Sequence, residues 1–332
     1  MPQADAHARP GPRNLITDVA GLRVGNAEDV AARTGVTVLL AEAPATCACD
    51  VSGGGPGTRE TDALRAEGLV ESVDAVVLSG GSVYGLGAAD TVTAALGADG
   101  RGFRLNEAAP PAPIVPAAIL FDLANGGDKA WGEAPPYAGL GRAALKAAGS
   151  EFRLGAAGAG FGAMAGQLRG GLGSASAVTA DGLTVGALAA VNSFGSVVAA
   201  DGESFWAAPW EIGAEFGGRG PSALSAGPDA WPFAKRDPSG REHTTLCVVA
   251  TDVRLTRVEA RRVAVMARAG LGRAIRPVFT PFDGDVIFAL ATGRIEAPEP
   301  RAFTIARLGA LAADCLARAT ARGVYEAGLA PG

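Results

Sequence analysis

The sequence predicts an α+β fold in which helices cover stacked sheets, and three observations carry that reading. Short apolar runs rich in β-branched residues recur along the chain (GVTVLLAE at 35–42, VDAVVL at 73–78, TTLCVVA at 244–250). Each has the length and composition of a buried strand. Between such runs stand segments with helical signatures, the plainest being Thr256-Arg-Val-Glu259, a capping box. From Thr244 to the end the chain reads strand, helix, strand, helix, an alternation that sets helices against sheet faces.

Composition bounds the rest. The 332 residues are 48% hydrophobic and 19% charged, and mean hydropathy is +0.21, as in a globular chain. No long polar linker separates two halves, so residues 1–332 read as a single domain. A net charge of −5 argues against nucleic acid or an anionic membrane as partner. The N-terminal MPQADAHARPGPRN lacks an apolar signal region, and the expected location is cytoplasmic. Cys47, Cys49, Cys247 and Cys315 have no zinc spacing and read as free thiols, which fits a reducing compartment.

Histidine is scarce: only His7, in the polar N-terminal segment, and His243. A His-rich metal site is thereby excluded, and acid–base chemistry falls to carboxylates, Lys, Tyr or an α-amine. Neither a metal nor a cofactor is expected.

Taken in order, residues 1–13 read as a disordered arm, and Leu15 to Val24 and Gly35 to Glu42 as strands. Val51 to Asp62 is a Gly-rich loop without the Gly-Lys-Ser/Thr ending of a phosphate-binding loop. Val73 to Leu78 is a buried strand that turns through Ser79-Gly-Gly-Ser-Val-Tyr-Gly85 into a helix from about Leu86 to Leu96. Tyr84 occupies the last glycine position of G-x-S-x-G, so this turn is not a nucleophile elbow. It reads instead as a pocket lining with Tyr84 as a wall.

Pro110 to Leu123 ends as a strand, and Tyr137 to Ala148 is an Ala-rich helix. Gly158-Ala-Gly160-Phe-Gly162 follows no clear strand and makes a poor dinucleotide fingerprint. Ser174 to Ala180 and Thr184 to Val198 read as antiparallel strands, with Asn192 near their junction. An Asn in apolar company must satisfy its amide, structurally or by donating to a substrate oxygen. After the capping box, Val258, Arg262, Val265, Met266 and Ala269 follow at helical spacing. Phe282 to Phe288 is a turn feeding a buried strand, and a last helix runs from about Phe303 to Arg322.

The candidate chemistry centres on Thr244. A loop rich in Gly, Pro and charge, residues 215–243, gives way there to a core strand, and by these residues alone it reads as a loop entering a strand that happens to begin with Thr. Cutting the His243–Thr244 bond would free an α-amine that titrates near pH ~8 and can take the proton from its own hydroxyl. Asp283 and Asp285 flank Gly284 and, two apart, could address one site; an Asp-Gly turn accounts for them equally. Arg169, in Leu168-Arg-Gly-Gly-Leu-Gly-Ser174, reads by itself as a solvated or ion-paired Arg.

In this order GVTVLLAE, LSGGSVYGL, IVPAAILFDL, GAGFGAMAGQLRGGLGSAS, HTTLCVVATD and RAIRPVFTPFDGDVIFALATG span nearly the whole chain. Together they resemble the L-aminopeptidase/D-amidase-esterase family, which includes β-aminopeptidases and 6-aminohexanoate (nylon) oligomer endohydrolases. The resemblance implies a four-layer αββα sandwich of the N-terminal-nucleophile type. It implies self-cleavage before Thr244 into chains 1–243 and 244–332, and a homotetramer of processed protomers. Thr244 is then the nucleophile of an amide hydrolase acting on small peptides, amino-acid amides or linear amide oligomers through an acyl-enzyme. Asn192 matches the oxyanion-stabilising Asn, and Asp283 and Asp285 match the pair that orients the new amine. Arg169 falls near a Lys of relatives and, unable to act as a neutral base, supplies positive charge only. Phe121 replaces a Tyr that contacts the reacting carbonyl, so that hydrogen bond is absent, and Phe121 joins Tyr84 as a pocket wall. His243 replaces the Asn or Gly usual before the cut. The alternatives are an uncleaved, inactive binding protein on the same scaffold and an acyltransferase like the self-processing ornithine acetyltransferases.

Overall fold

The computed structural model describes residues 8–225, 227, 229–236 and 243–328. In chain order its strands and α-helices are β1 (Leu22–Asp29), β2 (Thr34–Val51), β3 (Thr58–Arg59), β4 (Ser72–Ser79), α1 (Gly87–Ala98), β5 (Ala117–Ile119), α2 (Tyr137–Lys146), β6 (Met164–Ala165), β7 (Leu168–Arg169), β8 (Gly171–Val178), β9 (Thr184–Asn192), β10 (Thr244–Val253), α3 (Arg257–Ala274), β11 (Val286–Ile295) and α4 (Arg301–Ala327).

All ten residues of β10 are buried. Alternate side chains divide between two cores: Leu246, Val248 and Ala250 enter one, Cys247 and Val249 the other. A strand covered on both faces needs no polar side, which is why this run reads as continuously apolar.

Among the described residues nine strands hydrogen-bond into one sheet, in the order β3-β5-β4-β2-β11-β10-β9-β8, with β1 also on β2. The 18-residue β2 lets this sheet fold over itself. Its first half pairs with β1 and β4; past an irregularity between Leu40 and Ala45, Thr46 to Ala48 and on to Val51 pair with β11. Leu39, Val76 and Leu78 thereby meet Leu188, Leu246 and Phe288 in a central core between two sheet layers. A second core packs Val36, Val38, Ala75 and Val77 against α1 and α2, and a third packs the far face of β8 to β11 against α3 and α4. The layers run α, β, β, α, as expected.

The capping box forms as read. Thr256 N–H donates to Glu259 Oε2 at 2.7 Å, and Glu259 N–H donates to Thr256 Oγ1 at 3.3 Å, an arrangement worth about 1 kcal/mol. The buried face of α3 differs from the expected one. Ala260, Val263, Ala264, Ala267, Gly270, Leu271 and Ala274 face inward, whereas Val258 is 64% exposed. Close approach to α4 selects small residues: a Cβ on Gly270 would lie 2.2 Å from the Ala313 carbonyl oxygen. Larger side chains there would hold the helices apart.

The N-terminal segment also differs. Residues 1–7 lie outside the described residues, but 8–13 are not a loose arm. Arg9 and Val178 exchange backbone hydrogen bonds of 3.0 and 2.7 Å, and Gly11 N–H donates to Ser176 Oγ. Ile16–Asp18 is a short 3-10 turn, not a strand, because the Asp18 carboxylate gathers the N–H groups of Arg13 and Leu15 and the Ser176 hydroxyl. The start of the 215–243 loop is anchored as well. Arg318 on α4 donates Nε to Glu215 Oε1 at 2.6 Å and Nη2 to Oε2 at 2.9 Å.

Candidate active site

Thr244 opens β10, 5% exposed. Antiparallel pairing sets Asn192, the last residue of β9, directly opposite. On the other flank, the turn that precedes β11 runs alongside, and His243 bridges to Asp283. Three segments distant in sequence therefore converge where the loop enters the core.

One oxygen is the focus of the geometry. The Thr244 hydroxyl donates to the His243 carbonyl oxygen at 2.5 Å, and Gly284 N–H donates to the same oxygen at 2.7 Å. A Cβ on Gly284 would fall 2.6 Å from Thr244 Oγ1 and 2.8 Å from the Gly55 carbonyl oxygen. The Asp-Gly-Asp turn thus needs glycine for close approach, and its amide, which meets the His243 carbonyl, leaves no mark that side-chain reasoning could read. The Gly-rich loop at 51–62 has a matching purpose: Ser52 and Gly53 donate to the Asp285 carbonyl and Gly55 to the Asp283 carbonyl, cradling this turn.

Asp283 and Asp285 are each 1% exposed. Asp285 Oδ1 accepts Thr245 N–H at 2.6 Å and Oδ2 accepts Phe279 N–H at 3.2 Å. Asp283 Oδ1 accepts Phe194 N–H at 3.2 Å, and Oδ2 accepts the N–H and hydroxyl of Thr280. Burial, and then the charge of Asp283, push the Asp285 carboxyl well above the usual carboxylate range. The two carboxylates grip the segments around Thr244: the next residue of its own strand, and the turn that follows Asn192.

Asn192 satisfies its amide inside the site. Its Nδ2 donates to the Phe121 carbonyl at 3.0 Å and its Oδ1 accepts Met164 N–H at 2.8 Å. Beside it opens a cavity of about 420 Å³ whose walls include Phe121, Asn125, Met164, Gln167 and Asn192. Phe121 lines this cavity. Tyr84 is not among its lining residues: it is 49% exposed and meets Trp131 edge-on at 5.9 Å. Arg169 does not line the cavity either. It is exposed on the two-residue β7, paired across the hairpin with Met164. The cations at the cavity are Lys235 and Arg236, from the loop before Thr244. No periodicity marks a residue in such a loop, so sequence reasoning did not find them.

Among the described residues no cluster of three or more His, Cys, Asp or Glu is placed to hold a metal ion, and no helix is long and apolar enough to cross a membrane.

Known proteins resemble this chain along most of its length. The sequence profile of peptidase family S58 matches residues 14–332. An uncharacterized aminopeptidase of Mycobacterium tuberculosis is 42% identical over 343 aligned positions, covering 95% of this chain and 94% of the relative. A 6-aminohexanoate-oligomer endohydrolase of Kocuria sp. is 30% identical over 87% of this chain and 78% of its own length. Among solved structures, the L-aminopeptidase D-Ala-esterase/amidase of Ochrobactrum anthropi, a variant of the Ntn-hydrolase fold, superposes with a TM-score of 0.69 at 21% identity. That superposition covers 96% of this chain and 87% of the other. A Burkholderia sp. β-aminopeptidase gives 0.69 at 23% identity, over 96% and 88%.

Proposed function

The chain belongs to peptidase family S58, a hydrolase on the Ntn fold, and from that premise we propose that it is a self-cleaving amide hydrolase with Thr244 as its N-terminal nucleophile. The observation that carries the proposal is the shared oxygen: the Thr244 hydroxyl and the Gly284 amide both meet the His243 carbonyl, at 2.5 and 2.7 Å.

In maturation, Thr244 Oγ1 attacks the His243 carbonyl carbon. The oxygen gains negative charge while already held by Gly284 N–H, an oxyanion donor that needs no reorganisation. The C–N bond then breaks, the Thr244 nitrogen takes the proton that the Oγ1 hydroxyl gave up, and an ester links His243 to Oγ1. Water hydrolyses that ester, leaving a carboxylate on His243 and a free amine on Thr244.

In turnover the free amine accepts the hydroxyl proton as Oγ1 attacks a substrate amide. Asn192, opposite the nucleophile, donates to the tetrahedral oxyanion once its amide turns from the Phe121 carbonyl. The leaving amine departs, and water releases the acyl group. Asp283 and Asp285 keep the strand and its new terminus in place through the N–H groups of Thr245 and Phe194. Substrates are small peptides, amino-acid amides or linear amide oligomers, a range supported by relatives named as aminopeptidases and as a 6-aminohexanoate-oligomer endohydrolase. The working form on this reading is a homotetramer of processed, cytoplasmic protomers.

Denaturing mass spectrometry tests the proposal. Active wild-type protein is expected as two chains divided at 243/244, and Thr244→Ala as one. An active wild type that stays whole, or a variant that still divides, refutes it.

A further inference from the structure

The residue before Thr244 is held by its side chain, which the chemistry above does not use. His243 is 3% exposed. Its Nδ1 lies 2.9 Å from Lys235 Nζ, and its ring packs on Phe194 with centroids 5.3 Å apart. An ammonium group offers donors only, so Nδ1 is the acceptor of this pair.

Phe194 ties this contact to the rest of the site. Its ring meets Phe282 at 5.5 Å and Trp231 at 6.3 Å. Its N–H donates to Asp283 Oδ1, and its carbonyl accepts Lys235 N–H at 3.0 Å. The loop before the cut, the turn after β9 and the Asp-Gly-Asp turn thus meet around the His243 ring. Fixing that ring restricts rotation of the attached backbone, so the carbonyl oxygen stays between Thr244 Oγ1 and Gly284 N–H. Attack needs both contacts at once, and a misplacement of about 1 Å in such an arrangement can slow a reaction about 10²-fold.

We propose that Lys235 and Phe194 clamp the His243 side chain and so position the 243–244 peptide bond for self-cleavage. Lys235 is a positioning residue here: it exchanges no proton with the reacting atoms. The inference rests on the self-cleaving reading of Thr244.

The experiment is a time course of self-cleavage of the freshly translated full-length chain, read by denaturing gel and intact mass. Lys235→Met is expected to slow cleavage about tenfold or more, the loss that follows from removing one charge-assisted hydrogen bond. Lys235→Arg, which can still donate to Nδ1, is expected to restore most of the rate. In a His243→Asn background, where the ring is gone, Lys235→Met is expected to add nothing, since the coupling between the two residues has vanished. Should K235M fail to fold, judged by circular dichroism against Thr244→Ala, Phe194→Leu takes its place. A wild-type rate in the variant, or equal slowing with and without the His243 ring, overturns the clamp and leaves the nucleophile untouched. A wild type that stays whole, like T244A, overturns both.

Discussion

Gly284 stands so close to Thr244 that a methyl group on its α-carbon would lie 2.6 Å from the threonine hydroxyl oxygen. The same substitution would press on the Gly55 carbonyl oxygen at 2.8 Å, which is backbone and cannot swing aside. Gly284→Ala is therefore expected to displace the amide that serves the His243 carbonyl. Self-cleavage should slow by about 10²–10³, the usual loss for one oxyanion donor. A gel time course measures it, and cleavage at the wild-type rate would show that the Gly284 amide has no part in the reaction.

Asn192→Ala separates turnover from maturation. On the proposed mechanism Asn192 serves the substrate oxyanion and Gly284 the precursor carbonyl. Protein that has already divided should then lose about 10²–10³ in kcat with KM little changed, while the extent of cleavage moves far less. The Phe121 carbonyl and Met164 N–H lose their partner, so stability should also fall by roughly 1–3 kcal/mol. Unchanged kcat in the divided protein would remove Asn192 from the mechanism.

Asp285 sets a pH dependence of stability. Burial, then the Asp283 charge, raise its folded-state pKa, so the folded chain keeps a proton that the unfolded chain releases. The stabilising effect of that proton is complete below the ordinary carboxylate range and is lost as pH rises toward neutrality. Asp285→Asn has no such proton to lose. In an uncleavable Thr244→Ala background, its urea midpoint relative to the parent should improve between pH 5 and pH 8. A difference that does not change with pH contradicts this.

Arg318→Met should cost about 3–5 kcal/mol, because it strands a carboxylate that is buried beside α4. Burial pulls the Glu215 pKa up, but the hydrogen bonds and charge of Arg318, with help from Asn14, outweigh it and hold the pKa below 4.5. The contribution of the pair is therefore present above the ordinary Glu range and drains as pH falls through and below it. Urea titrations at pH 7 and pH 4 read both effects. A Glu215→Gln/Arg318→Met pair as unstable as R318M alone would deny that the stranded charge is the cause.

Much of the architecture was legible because local rules and tertiary packing agree. The β10 run is apolar at every position since both its faces are covered, and the Thr256–Glu259 box closes within one helical turn. The junction of a polar loop and a core strand at Thr244 is plain in the sequence and is where β10 begins; the role of Thr244 as nucleophile comes from the family resemblance. Agreement ended where contacts cross the chain. The inward stripe of α3 is mostly Ala and Gly, with Val263 and Leu271, because α4 approaches closely, so periodicity alone chose the wrong face. Tyr84 and Arg169 carry chemistry-bearing side chains yet lie exposed and away from the cavity lining, since what a short turn or a two-residue strand faces depends on what packs against it.

The sequence by itself determined the kinds of layer, the strand that begins at Thr244 and the residue types available for chemistry near it. Only the tertiary structure placed Gly284 N–H, Lys235 and Phe194 around the His243–Thr244 peptide. A backbone amide leaves no mark in a side-chain pattern, and residues joined through a folded sheet have no fixed spacing along the chain.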